Sequence, residues 1–252
     1  MDPYVSRETP SVPEVARRAF PSARLPLAEQ YAELLATDGV VRGLIGPREA
    51  PRLWDRHLVN CALLGELVAE GSTVCDIGSG AGLPGLVLAI ARPDLSVTLV
   101  EPLLRRTTFL EEVASVLALG NVEVFRGRAD ALHGVRTFDV VTSRAVAPLE
   151  RLLGWSMPLV APDGALIAMK GSSVSDEIDA AAAELTRWGC AAPEVLLLGA
   201  DWPVSPTVAL RVAWDDPTQV SWPLAASPDR PGAPGARAAG RGRPTSKRRR
   251  RT

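Results

Sequence analysis

Four glycines fall within the twelve residues VCDIGSGAGLPG, positions 74–85, directly after a short β-branched and apolar run. Glycines at 78, 80 and 82 permit positive φ angles and let a ligand lie against bare backbone, and a helix start just beyond offers free N–H groups to a negative group. A dinucleotide loop places glycine at its first, third and sixth positions, and the sixth here is Leu83. The GxGxG spacing, with Asp76 two residues ahead of Gly78 and Glu101 closing the next apolar run, fits an S-adenosylmethionine loop better. A carboxylate at that second strand end accepts both ribose hydroxyl protons in dinucleotide and adenosylmethionine proteins alike, so Glu101 alone does not choose the cofactor. A tight turn without a ligand is the plain alternative for the glycines.

Two further strand ends carry candidate chemistry. In GRADAL, the Ala129 N–H and the Asp130 carboxylate can bind the edge and amino group of an adenine, while a helix N-cap explains Asp130 equally well. SRAVAPLERL follows the fourth strand-like run, and reactive groups in an open parallel sheet collect at such carboxyl ends. It is not the Asn/Asp-Pro-Pro-aromatic pattern that holds an exocyclic nitrogen, and it lacks the Pro-Cys nucleophile of pyrimidine C5 enzymes. A guanine N7 has an exposed lone pair and no proton to lose, so its methylation needs positioning and charge management more than a base. Arg144 can serve by hydrogen bonding the cofactor or by bidentate contact with guanine O6 and N7, although an N7 held for attack cannot also be fully occupied as an acceptor. A surface ion pair is its ordinary alternative. Lys170, at the end of GALIAMK, is the only lysine before the C-terminal tail. Where arginine is the default cation, such a lysine is kept for its compact ammonium group. The chemistry expected is direct attack on the methyl group, without a covalent enzyme intermediate and without a metal. Cys61, Cys75 and Cys190 lack paired spacing and read as reduced core residues.

These residues need a sheet to hold them. TVCDI, SVTLVE, VEVFRG, FDVVTS and GALIAMK read as strands, and GLVLAIAR, PLLRRTTFLEEVASVLAL, PLERLLGWSMPLV and SDEIDAAAAELTRW as the helices between. Alternation of this kind predicts a parallel sheet with helices on both faces. PEVLLLGA and TVALRVAW have no helix-length segment between them and should close the sheet as an antiparallel hairpin. The fold class expected is therefore α/β, a mostly parallel seven-stranded Rossmann-like sheet preceded by N-terminal helices. Its divisions are a helical segment over 1–70, a catalytic unit over 71–222 and a tail over 223–252.

The net charge of −1 conceals an asymmetry. From Asp229 onward nine Arg or Lys face one acid, giving the tail +8 and leaving the body at −9. Rich in Pro, Gly, Ala and Arg, the tail should be disordered and either solubilises the chain or contacts nucleic acid phosphates. Arg105, Arg106, Arg126, Arg128 and Arg144 cluster at strand ends and helix starts, which matters more for an RNA partner than the mean charge. No apolar stretch near the start suits a signal peptide and LPGLVLAIA is too short to span a bilayer, so a cytoplasmic protein without a membrane partner is expected.

Over about residues 25–215 the chain resembles the RsmG family, also called GidB, the small-subunit ribosomal RNA methyltransferases G. The resemblance rests on DIGSGAGLPGLVLAIARPDLSVTLVEP, RRTTFLEEV, GRAD, SRAVAPL, MKG and the upstream RHLVN. It implies a class I methyltransferase that uses S-adenosylmethionine to methylate N7 of one 16S rRNA guanine near the decoding centre, on rRNA or on an assembled or partly assembled 30S subunit. By position, Gly78, Leu83, Ala129, Asp130 and Arg144 correspond to the family's cofactor contacts. Arg56, His57 and Lys170 match substrate-side features, although a solvated helix residue and a helix-packing residue explain Arg56 and His57 from local sequence. Many relatives follow RH with an Asp-Ser pair where this chain has Asn60 and Cys61. A small-molecule methyltransferase and a non-catalytic adenosylmethionine- or RNA-binding protein are the competing readings.

Overall fold

A computed structural model describes residues 12–222 and residue 224; the expected basic tail lies outside the described residues. Seven strands form one sheet: β1 Thr73–Ile77, β2 Ser96–Glu101, β3 Val122–Arg126, β4 Phe138–Arg144, β5 Val160–Lys170, β6 Glu194–Leu198 and β7 Thr207–Ala213. Their order is β3-β2-β1-β4-β5-β7-β6, with the first five parallel and β7 antiparallel to both neighbours. Sequential strands run outward from β1 to β3, and the chain then returns to place β4 on the other side of β1. The crevice at the carboxyl ends of β1 and β4 is therefore the point where strand order reverses, where open α/β sheets bind ligands.

β1 and β2 are buried along their length after one exposed residue, as strands covered on both faces must be. Side chains alternate between two cores: Val74, Val140 and Ile167 enter one, and Cys75, Val141 and Leu166 the other. The expected hairpin is present, but its second strand, β7, joins β5 and leaves β6 at the edge. Composition explains the exchange: β7 buries Thr207, Ala209, Leu210 and Val212, whereas β6 leaves Val195 and Leu197 exposed. β5 begins at Val160, four residues before the expected GALIAMK, with a register shift against β4 between Phe138 and Val140.

Helices cover both faces. α1 Glu14–Ala19, α2 Leu25–Leu34 and a helical run over 50–67 containing α3 Val59–Leu63 pack on one face together with α4 Gly85–Ala91 and α5 Leu104–Val116. α6 Leu149–Ser156, α7 Val174–Ala180 and α8 Ala182–Trp188 cover the other. The single helix expected over 175–188 breaks at Ala181, whose backbone leaves the helical region (φ −89°, ψ 2°) while its methyl is fully buried in the second core. Cys61 and Cys75 are buried, but Cys190 is only half-buried, because it sits at an isolated bridge to Trp214 beyond the end of β7. Among the described residues no helix is long and apolar enough to cross a membrane.

Candidate active site

After β1 the backbone turns through Gly78, Gly80 and Gly82, all at positive φ (+70°, +58° and +97°). The Gly78 and Ser79 N–H groups donate to the Val100 carbonyl (2.8 and 3.2 Å), folding the loop across the end of β2. Glu101, nearly fully buried, receives Gly80 N–H at Oε2 (3.1 Å) and Leu103 N–H at Oε1 (3.0 Å), with Arg106 Nη1 3.3 Å from Oε2. Charged and neutral donors thus hold the carboxylate in one orientation at the cleft wall.

Asp76 lies beneath the loop. It is fully buried, its Oδ2 accepts the Gly85 N–H at the start of α4 (3.0 Å), and its Oδ1 has no hydrogen-bond partner among the described residues. Burial pushes its carboxyl up to about 7, more than the Gly85 bond pulls it down. The N-terminal helices grip the same loop: Tyr31 of α2, fully buried, donates its hydroxyl to the Ala81 carbonyl (2.8 Å), and burial raises its phenol well above the usual range. Gly82 is required where these parts meet, since a Cβ there would lie 2.3 Å from Leu86 Cδ1 and 2.9 Å from the Tyr31 hydroxyl.

A cleft of about 640 Å³ opens above the loop, within the usual range for small-molecule sites. Of the residues expected to bind the cofactor, Gly78, Gly80, Leu83, Glu101, Ala129, Asp130 and Arg144 all line it, whereas Asp76 and Gly82 stand behind the wall. Arg106, Ile45 and Trp155 also line it and were not singled out as cofactor residues from sequence. The set fits S-adenosylmethionine. Glu101 can accept from a ribose diol, Ala129 and Asp130 can meet an adenine edge, and the loop leaves its backbone bare for the amino-acid end.

A second cavity, of about 690 Å³, lies at the ends of β4, β5 and β7 and is lined by Arg56, Asn60, Lys170 and Glu177 among others. Arg144, Ala145 and Val146 line both cavities and form the wall between them. Ala145 holds that wall in the left-handed region (φ +52°), a conformation that costs an alanine about 1–2 kcal/mol. The helical run over 50–67 also faces both ways, with exposed Arg56 toward the second cavity and buried His57 toward the first.

Arg144 is held from this run. Its guanidinium donates to His57 Nδ1, to Cys61 Sγ (3.6 Å) and to the Arg56 carbonyl (3.5 Å). His57 Nε2 lies 2.9 Å from Glu49 Oε2, and Arg56 Nη1 lies 3.4 Å from Glu49 Oε1. Burial lowers the His57 pKa below its usual value and the Arg144 charge lowers it further, against the opposing pull of Glu49. Lys170 differs from the expectation of a group presented to RNA: its side chain is 7% exposed, and Nζ is bonded to Glu177 Oε2 (2.7 Å). Glu177 also accepts the Leu149 N–H (3.2 Å), so one carboxylate secures both Lys170 and the start of α6.

The model of the rRNA small subunit methyltransferase G family matches residues 24–199. A ribosomal RNA small subunit methyltransferase G from Nocardioides sp. is 71% identical over 248 residues, 98% of each chain. One from Thermobifida fusca is 53% identical over 201 residues, covering 80% of this chain and 85% of that relative. Among solved structures, a mutant of MtNAS superposes with a TM-score of 0.50 at 21% identity, covering 76% of this chain and 75% of that one, a likeness of fold alone. The family match over residues 24–199, together with a relative 71% identical over 98% of each chain, shows that this chain belongs to the rRNA small subunit methyltransferase G family.

Proposed function

We propose that this chain transfers a methyl group from S-adenosylmethionine to N7 of one guanine in 16S rRNA of the small ribosomal subunit, in the cytoplasm. The observation that carries the reading is the wall at Arg144–Val146, which separates a cleft built for an adenosyl ligand from a second cavity at adjacent strand ends. S-adenosylmethionine, when bound, supplies an electrophilic methyl group. Glu101, Ala129 and Asp130 hold the adenosine portion, and Asp76 acts through the loop by fixing the Gly85 N–H. Guanine N7 has no proton to lose, so the chain's task is to hold the base in line and keep water away. With His57, Cys61 and the Arg56 carbonyl fixing the Arg144 guanidinium, its remaining donor capacity is directed at guanine O6, which leaves N7 free to attack.

Direct transfer is supported by the thiols. Burial pushes Cys61 up to about 11 and Cys75 higher still, so both are protonated at neutral pH and poor nucleophiles. The +8 tail adds phosphate contacts, and deleting residues 229–252 lowers RNA affinity at low salt. The test of the activity is incubation of the purified protein with labelled S-adenosylmethionine and 30S subunits from cells lacking the modification, followed by mass spectrometry of the nucleosides. N7-methylguanosine at one 16S position is expected. Confirmed adenosylmethionine binding with no transfer to free or assembled rRNA would overturn the reading and favour a small-molecule substrate or a non-catalytic role.

A further inference from the structure

We propose that Glu49 is a positioning residue for Arg144 and acts through His57; this rests on the reading that Arg144 serves the methyl transfer. The geometry runs in one line. Arg144 donates to His57 Nδ1, so that nitrogen must present its lone pair. The ring proton then belongs on Nε2, where Glu49 Oε2 lies 2.9 Å away to accept it. The opposite tautomer would turn an N–H toward the guanidinium donors and a lone pair toward the carboxylate, two repulsive contacts in place of two bonds. A carboxylate on one ring nitrogen therefore selects the ring state in which the other can hold an arginine.

The surroundings reinforce this selection. His57 is buried, so little water competes for either nitrogen. The charged groups facing the ring are Glu49, Arg56 and Arg144, and burial together with Arg144 favours the neutral ring that the arrangement needs. Glu49 also holds the Arg56 guanidinium, and the Arg56 carbonyl is itself an acceptor for Arg144 Nη2 at 3.5 Å. Among the described residues the acceptors bonded to the Arg144 guanidinium are a ring nitrogen, a sulfur and a carbonyl, none of them an anion. The arginine thus keeps its charge for the ligand side, while its aim is set one residue away.

The chain contains two histidines, His57 and His133, so the ring state can be read directly. We would record ring-nitrogen NMR spectra of ¹⁵N-histidine-labelled protein, using His133→Gln to assign His57, and compare Glu49→Gln in the same background. The expected wild-type ring is Nε2–H, shifting to a tautomer mixture in Glu49→Gln. Methyl transfer at saturating substrates should fall about tenfold or more in Glu49→Gln, with adenosylmethionine affinity within about twofold and an unchanged melting temperature. An Nδ1–H ring in the wild-type protein, or wild-type turnover by Glu49→Gln, overturns the proposal. The NMR comparison needs no substrate. Failure of wild-type protein to methylate rRNA would overturn the functional reading, while the Glu49–His57–Arg144 arrangement would still stand or fall on the tautomer.

Discussion

Replacing Gly85 by Ala tests how closely α4 must approach the sheet. A Cβ at this position would lie 2.3 Å from Leu99 Cδ2, 2.7 Å from Asp76 Oδ2 and 2.9 Å from Asp76 Cβ. Leu99 is fully buried, so its methyl has only filled core to turn into, and Asp76 can move away only by weakening its 3.0 Å bond to the Gly85 N–H. Overpacking costs about 1–3 kcal/mol, and at about pH 8, where the Asp76 carboxyl is ionised, losing a hydrogen bond to it costs about 1.5–3 kcal/mol. Alanine recovers at most about 1 kcal/mol of helix propensity. A net loss of about 2–4 kcal/mol should lower the melting temperature by roughly 5–15 °C for a chain of this size. Circular dichroism melts read the stability, and an adenosylmethionine titration should show weakened binding because the loop shifts with Asp76. Gly120→Ala is the control, since among the described residues no heavy atom beyond its own chain neighbours lies within 4 Å of its Cβ position, and it should melt within about 2 °C of wild type. A Gly85→Ala protein as stable as that control would refute the claim that α4 is seated by this contact.

Asp76 makes a second, pH-dependent prediction. Its folded pKa, about 7, stands above the ordinary value of 3.8, so the folded state binds the extra proton and this group's contribution to stability declines as pH rises from about 4 through about 7. Asp76→Asn should therefore gain about 2–3 kcal/mol relative to wild type between pH 5 and pH 8 in urea unfolding, and a pH-independent difference would contradict the burial argument. Tyr31→Phe removes the bond to the Ala81 carbonyl and should cost about 1–2 kcal/mol in the same assay while weakening adenosylmethionine binding. Glu177→Ala strands the Lys170 ammonium, 7% exposed, together with the Leu149 N–H, whereas Lys170→Ala leaves a carboxylate that is 25% exposed. The first should be the more destabilising, by about 1 kcal/mol or more, and the reverse order in thermal melts would show the pair is not buried in this sense. Cys75→Ala should retain methyl transfer to 30S subunits; complete loss with an intact fold would sink direct transfer.

Strand positions were legible because buried parallel strands are short apolar runs bounded by loops, and the cleft was legible because parallel strands deliver their ends to one edge of the sheet. Gly78, Glu101, Asp130 and Arg144 come from four different strand ends and meet there without any local signal linking them. What the sequence concealed was the use to which charges are put. Lys170 looks available, yet its charge is held by Glu177, an acid in the first turn of α7 that reads locally as a complement to the helix dipole. Glu49 lies eight residues before His57 across Pro51, so helical periodicity does not connect them; only the folded path of that segment does. The β6–β7 exchange was invisible for another reason, since hairpin pairing does not say which of its strands joins the sheet. Gly85 stood in plain view as the fourth glycine, but its task is a contact with Leu99 and Asp76 on two neighbouring strands, which spacing cannot express.

The core that joins the N-terminal helices to the sheet bears on the order in which the chain can be completed during synthesis. Ala16, Phe20, Tyr31 and Leu58 share one apolar cluster with Leu86, Leu99, Ile167, Leu198 and Ala209. The helices leave the ribosome before the sheet, yet several of their packing partners are made near its end. Until β7 has emerged, their apolar faces have an incomplete floor, and helices translated before the whole sheet are among the last elements to be enclosed.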